Sequence, residues 1–262
     1  MQTRHPRVFL RSLRYDWADG AAAKGMADAT MPAKRIASSA RARRLWRRIA
    51  YGIIALCALP VLLTLVYAVV PPVSIPMLER YVTGQPVDRR WTRLADIAPI
   101  ARFSVMASED GGFCRHWGVD FGAISLVLRQ GGGNGPSRGA STIAMQTAKN
   151  LYLWPLPTYV RKPLEIPMAL WLNLIWSKRR TLEVYLNIAQ WGEGIYGIEA
   201  ASQHYFKKPA ARLNGREAAQ LAVSLPNPIR RDAGSPTRRL RNLAGLITNR
   251  ARNSSGYFDC VK

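Results

Sequence analysis

Residues 50–70 read AYGIIALCALPVLLTLVYAVV and contain no charged side chain. At ~1.5 Å per residue, a helix of this length crosses the ~30 Å hydrocarbon layer of a bilayer. The span constrains every later reading, because whatever follows it must work at a membrane surface. Pro60 falls within it, which a membrane helix tolerates better than a soluble one. The stretch is longer than a signal-peptide core, and Pro71-Pro72 follows it instead of a small-residue cleavage site. The competing reading is a buried core helix. Arg41, Arg43, Arg44, Arg47 and Arg48 stand just before the span, and the positive-inside rule then puts the N-terminal side in the cytoplasm. Residues 71–262 are expected on the periplasmic face of an inner membrane.

Charge supports a surface role. Of 262 residues, 38 are Lys or Arg and 16 Asp or Glu, a formal net charge of +22. Hydrophobic residues make up 48% and charged residues 21%. This is too apolar for a disordered chain and too charged for one mostly embedded in lipid. The first 49 residues hold twelve basic and three acidic side chains, and residues 71–262 hold 26 and 13. Such an excess meets something anionic: nucleic acid, lipid headgroups or a phosphorylated substrate. Cys57, Cys114 and Cys260 are far apart and form no CxxC pair, which argues against a disulfide scaffold and a zinc ribbon.

Beyond the span, Val73–Thr92 shows little periodicity and reads as a connector. Helical periodicity begins near Ile97. Leu182, Tyr185, Leu186 and Ala189 fall at i, i+3, i+4 and i+7, as do Ala218, Leu221, Ala222 and Leu225. Asn214 and Glu217 precede the second set at capping-box spacing. Gly131–Gly135 and Pro155–Pro157 mark loops. The expectation is a mainly α domain.

Four runs could carry chemistry. In the first, Ile100, Phe103, Val105 and Met106 deliver adjacent carboxylates, Glu109 and Asp110, to a glycine break followed by Phe113 and His116. A carboxylate at a helix end facing a cleft can have its pKa raised and serve as a base; the bland reading is a solvated turn. In the second, Gly139, Ser141 and Thr142 open a helix that carries Gln146 and Lys149, a cradle for phosphate or an ordinary polar face. It has no nucleotide P-loop order. In the third, Arg161, Lys162 and Glu165 precede a helix expected over Ile166–Trp176. Two cations beside a carboxylate suit a diphosphate, though a surface ion pair looks the same. The fourth, Lys178–Asn187 with Gly192, Gly194, Tyr196 and Gly197, reads largely as core.

In order, these runs resemble the bacterial peptidoglycan glycosyltransferases of family 51, and most closely the monofunctional biosynthetic transglycosylases. Glu109, Asp110, Phe113, His116 and Gly118 match ED-x-x-F-x-x-H-x-G. Gly139 to Ile143, Gln146, Lys149 and Asn150 match the second motif, and Arg161, Lys162 and Glu165 match R-K-x-x-E. Tyr185-Leu186-Asn187, Gly192, Tyr196-Gly197-Ile198 and Ala200-Ala201 match the fourth. Tyr205-Phe206, Glu217-Ala218-Ala219 and Leu225-Pro226-Asn227-Pro228 follow, so the resemblance covers about residues 88–245. Two departures stand out: Asn173 where many relatives carry Glu, and Cys114 at a commonly polar position.

The resemblance implies a mainly α, lysozyme-like glycosyltransferase domain behind one N-terminal transmembrane helix. The expected layout is a basic cytoplasmic tail over 1–49, the span over 50–70, a connector over 71–87, the catalytic domain over 88–250 and a C-terminal tail over 251–262. It implies polymerisation of lipid II by inverting transfer, releasing undecaprenyl diphosphate. Glu109 and Glu165 would be the catalytic pair. Asp110, Phe113, His116, Ser141, Thr142, Gln146, Lys149, Arg161, Lys162 and Asn187 would bind substrate. Glu165 could act directly or through Mg²⁺ or Mn²⁺. Expected partners are lipid II, the nascent glycan strand, membrane lipids and the cell-wall synthesis machinery, with no nucleic acid. Motifs of an appended penicillin-binding domain are missing. The rival readings are a lytic, murein-cleaving transglycosylase and a membrane-anchored binding module.

Overall fold

The computed structural model describes residues 33–129, 140–254 and 256–262. Residues 1–32 of the predicted basic tail and the predicted Gly131–Gly135 loop lie outside the described residues. Two compact units emerge, residues 1–52 and 53–262. The first contributes, among its described residues, the beginning of helix α1 (Ala33–Tyr67).

The stretch Arg41–Tyr67 is long and apolar enough to cross a membrane, and only 6% of its most apolar window is buried. That exposure separates it from the buried core helix considered above. Helix α1 ends before Val69, Val70, Pro71 and Pro72, where two prolines forbid its continuation. The predicted connector holds helix α2 (Ile75–Val82), started by Pro76 in its first turn and pinned by fully buried Met77. Eight residues with one buried anchor are too few to show a period.

The second unit continues through β1 (Asp88–Arg89), α3 (Pro99–Glu109), α4 (Phe121–Arg129) and α5 (Ile143–Ala148). A wider helical turn, Lys149–Leu153, extends α5. Then come α6 (Thr158–Ile175), α7 (Lys178–Ile188), β2 (Gln190–Gly192), β3 (Ile195–Tyr196), α8 (Ile198–Phe206), α9 (Gly215–Ser224) and α10 (Arg238–Arg252). The three short strands lie in the order β1-β3-β2, with β1 parallel and β2 antiparallel to β3. The protein is therefore mainly helical, as its periodicity predicts.

The predicted amphipathic faces form the core. On α7, Leu182, Tyr185 and Leu186 are buried with Val105 and Met106 of α3 and Ala218, Leu221 and Ala222 of α9. Truncating one such leucine typically costs about 2–5 kcal/mol. The Asn214–Glu217 capping box forms as expected. Helix α6 starts at Thr158 instead of Ile166, so Arg161–Glu165 lies inside the helix. Pro163 argues for a later start, but ion pairs at i+3 and i+4 and the burial of Glu165 carry the helix through it.

The cysteine expectation needs correction. Cys114 and Cys260, 146 residues apart, form a disulfide with a Cα–Cα distance of 5.7 Å. The terminal segment is packed as well: Phe258 and Val261 are buried, and Arg102 Nη1 donates to the Val261 carbonyl at 3.2 Å.

Candidate active site

Helix α3 stops between the two adjacent carboxylates. Glu109 is its last residue, and Asp110 leaves helical geometry at φ −156°, ψ 74°. The two side chains consequently face different surroundings. Asp110 turns inward, accepting from the Ile143 amide at 3.0 Å and pairing with His116 Nε2 at 2.8 Å. Phe113 is fully buried with the Lys178 ammonium 4.8 Å from its ring centre. Lys178 also donates to the His116 carbonyl at 2.7 Å. Asp110 and Phe113, expected to bind substrate, are thus buried, and half-buried His116 lines a separate pocket with Trp117, Asn173 and Lys178; together they hold the turn after Glu109 against the start of α5.

Glu109 turns the other way, toward Gln146, which lines the cleft described below. Its Oε2 accepts from Gln146 Nε2 at 3.0 Å, and its Oε1 from the Ser108 hydroxyl at 3.4 Å. Gln146 Oε1 in turn accepts from the Tyr185 hydroxyl at 3.1 Å. Burial is the dominant influence on Glu109 and raises its pKa above the ordinary carboxylate value. Bonds from Gln146 and Ser108 and the charges of Lys149 and Arg231 act the other way. The Tyr185 hydroxyl is pushed well up, by burial first and then by Glu109 and Asp110.

Thr142 caps α5, accepting from the Met145 amide at 3.2 Å and donating to the Gly118 carbonyl at 2.5 Å. It is buried, whereas Ser141 beside it reaches the Lys162 ammonium. Gly118 adopts φ +79°, and an added Cβ would meet the Ala169 carbonyl oxygen at 2.5 Å. The glycine is therefore needed for α6 to approach the first motif.

On α6, Lys162 Nζ donates to Glu165 Oε2 at 2.9 Å. Arg161 Nη1 lies 3.1 Å from Glu165 Oε1 as an ion pair outside hydrogen-bond alignment. Lys149 joins the two halves of the site. Burial lowers its pKa, the charges of Arg161 and Lys162 lower it further, and Glu165 and Glu109 raise it. Its ammonium has neither a hydrogen bond nor an ion pair among the described residues.

A cleft of about 260 Å³ opens beside these groups, lined in part by Gln146, Lys149, Asn150, Tyr185, Gln190 and Asn227. Sequence reasoning missed Tyr185, Gln190 and Asn227 as lining and Arg231 as a charge acting on Glu109. The usable signal was Tyr185, a phenol among the apolar positions Leu182, Leu186 and Ala189. Asn187 is buried away from the cleft, bonding the Thr92 amide and carbonyl at 2.8 Å each and the Glu183 carbonyl.

The surroundings of Glu165 do not fit a divalent ion held by the protein. Two cations already take up its carboxylate, and Lys149 adds a third positive charge nearby. Among the described residues no group of three or more His, Cys, Asp or Glu could hold a metal. The arrangement sets a largely buried carboxylate of raised pKa beside a cluster of three cations.

The family described as Transglycosylase matches residues 77–252. A biosynthetic peptidoglycan transglycosylase of Agrobacterium fabrum is 55% identical over 221 residues, covering 84% of this chain and 98% of that protein. One of Brucella suis is 51% identical over 212 residues, covering 80% and 95%. One of Rhizobium meliloti is 48% identical over 237 residues, covering 88% and 99%.

Proposed function

The chain belongs to the transglycosylase family, and from that premise we propose that it polymerises lipid II into glycan strands at the outer face of the cytoplasmic membrane. The C4 hydroxyl of an acceptor sugar attacks the anomeric carbon of the growing chain. As the new C–O bond forms, the bond from that carbon to the diphosphate oxygen breaks, with inversion, and undecaprenyl diphosphate leaves. Glu109 takes the hydroxyl proton. Its burial suits the task, since a base with a raised pKa holds the proton more firmly as the nucleophile forms.

Lys149, Arg161 and Lys162 bind the diphosphate and stabilise the negative charge that grows on it, the kind of preorganised interaction that contributes most to catalysis. Glu165 orders two of these cations without neutralising all three. Gln146 fixes the Glu109 carboxylate, and Ser141 extends the cationic surface through Lys162. Asp110, Phe113, His116, Thr142 and Asn187 support these groups from within.

The observation that carries the reading is Lys149, set in the field of both Glu109 and Glu165. A murein-cleaving enzyme needs a carboxylate but has no anionic leaving group to receive three cations. The membrane reading is supported by exposed apolar side chains on α4 (Phe121, Leu126) and α6 (Tyr159, Leu164, Leu174), which suit contact with lipid near the span. With the arginine flank in the cytoplasm, this face and the cleft lie outside, where the substrate's lipid tail stays in the bilayer. Purified full-length protein in detergent, given labelled lipid II, should yield glycan polymer and undecaprenyl diphosphate. Release of soluble muropeptides from preformed murein, without polymer, would favour the lytic reading instead.

A further inference from the structure

We propose that Cys114 and Cys260 are an oxidative modification site whose disulfide positions the turn that follows Glu109, so that turnover depends on the redox state of this pair. The inference rests on the function proposed above.

Cys114 lies in the turn that immediately follows Glu109. The Phe113 amide donates to the Asp110 carbonyl at 3.0 Å and the Arg115 amide to the Gly112 carbonyl at 2.7 Å. Asp110, Phe113 and His116, which seat this turn, flank the cysteine in sequence. Cys260 lies in a short helical turn, Asp259–Val261, at the other end of the chain. That terminal turn packs on the helices that shape the catalytic centre. Phe258 meets Phe103 of α3 at 5.7 Å between ring centres, and Arg102 of α3 holds the Val261 carbonyl. The crosslink therefore closes a brace from the turn after Glu109 back to the middle of α3, the helix that ends at Glu109.

The chemistry is available. Both cysteines are half-buried, within reach of an exchanging thiol, and Cys57, the third, lies in the membrane-spanning stretch. A thiolate of the pair attacks the disulfide of a thiol–disulfide oxidoreductase to form a mixed disulfide, and the second cysteine's thiolate attacks the first cysteine's sulfur, forming the Cys114–Cys260 bond as the oxidoreductase's thiolate leaves. Two thiols lose two electrons and two protons, and the oxidoreductase leaves as a dithiol. Such a bond persists in an oxidising compartment, which agrees with the exterior location proposed for this unit. Opening it leaves the terminal turn held by noncovalent contacts alone and lets water reach the turn beside Glu109.

The test uses full-length protein isolated from membranes in detergent. Peptide mass spectrometry should find Cys114 and Cys260 linked and Cys57 free. Mild reduction should lower kcat several-fold with little change in KM. It should also move the acidic limb of the pH–rate profile to lower pH, because a better-hydrated Glu109 ionises more easily. Reoxidation should restore both. The double variant Cys114→Ser/Cys260→Ser should match the reduced enzyme and ignore reductant. Free thiols at both positions would overturn the crosslink. Linked peptides with a reduction-insensitive kcat and pH profile would overturn the positioning role alone. Oxidised protein that makes no polymer would overturn the proposed function and the positioning role with it.

Discussion

Gln146 donates its side-chain N–H to Glu109 Oε2 across 3.0 Å while its own carbonyl oxygen accepts from Tyr185 at 3.1 Å. The amide is thus oriented from both sides, and α5 and α7 together aim the carboxylate that ends α3. Only the ionised or acceptor face of Glu109 satisfies this donor, which tempers the penalty of burying it.

Glu109→Gln should therefore separate stability from activity. It keeps the shape but cannot take a proton, and loss of a general base costs about 10²–10⁴-fold in rate. Because the folded pKa of Glu109 is raised, the native state holds a proton there more readily than the unfolded chain does. This group's contribution to stability is present at low pH and is lost as pH rises through the folded pKa. The variant should accordingly melt higher than wild type at neutral pH, with the gain vanishing below the ordinary carboxylate range. Thermal melts across pH, beside polymerisation rates, check both; an equal rate for the variant would disqualify Glu109 as the base.

Gln146→Ala removes a bond that lowers the Glu109 pKa. The acidic limb of the wild-type pH–rate profile should lie above the ordinary carboxylate range, and in the variant it should move higher still. The Tyr185 hydroxyl also loses its partner, at a cost of about 1–3 kcal/mol for an unsatisfied buried group. An unmoved limb would mean that Gln146 does not act through Glu109.

Glu165→Gln should cost both stability and turnover. Its side chain is 2% exposed and that of Arg161 14%, and breaking a buried pair typically costs about 3–5 kcal/mol. Lys162, 42% exposed, should contribute little. A helix cap would explain only stability, and Glu165 lies within α6 rather than at its start. The discriminating measurement is the alkaline limb. Lys149 loses an attraction that raises its pKa, so the charged form should disappear at lower pH and the rate should fall earlier. A variant with the wild-type alkaline limb would leave Glu165 a purely structural part.

Replacing Leu62 and Leu63 with arginines should abolish insertion of α1. Each charge costs about 2.5–3.5 kcal/mol at the centre of a membrane helix, and Leu62 is exposed in the folded protein. Carbonate extraction of membranes should release the variant while retaining wild type. Protease added from the periplasmic side should cleave wild type beyond Pro72; protection there would reverse the proposed orientation.

The sequence made some of this legible and not the rest, for physical reasons. Periodicity identified the buried faces of α7 and α9 because each repeats over several turns, and the Asn214–Glu217 box is a local signal three residues wide. Spacing alone did not part Glu109 from Asp110; the resemblance named Glu109 as catalytic but put Asp110 on the substrate, and the backbone's exit from α3 is what turns Asp110 inward. Nor could spacing alone join Cys114 to Cys260, since a pairing 146 residues apart is set by how α3 and the terminal turn pack. Tyr185 looked like core because burial and site-lining coincide in it.

The end of α1 bears on how the enzyme meets its substrate. Trp176 Nε1 donates to the Thr64 carbonyl at 2.8 Å, Arg180 reaches the Tyr67 and Val70 carbonyls, and Arg89 the Pro72 carbonyl at 2.6 Å. A free linker would let a domain wander over a distance that grows with the square root of its length. Here these bonds tie the end of α1 to the folded domain, and Trp176 sits just past the end of the same helix that presents Arg161, Lys162 and Glu165. On the proposed membrane anchoring, the cleft drifts sideways with its anchor and stays beside it. Encounter with a lipid-borne sugar becomes a two-dimensional search, governed by lateral diffusion and by how many substrate molecules share each patch of membrane rather than by their concentration in solution.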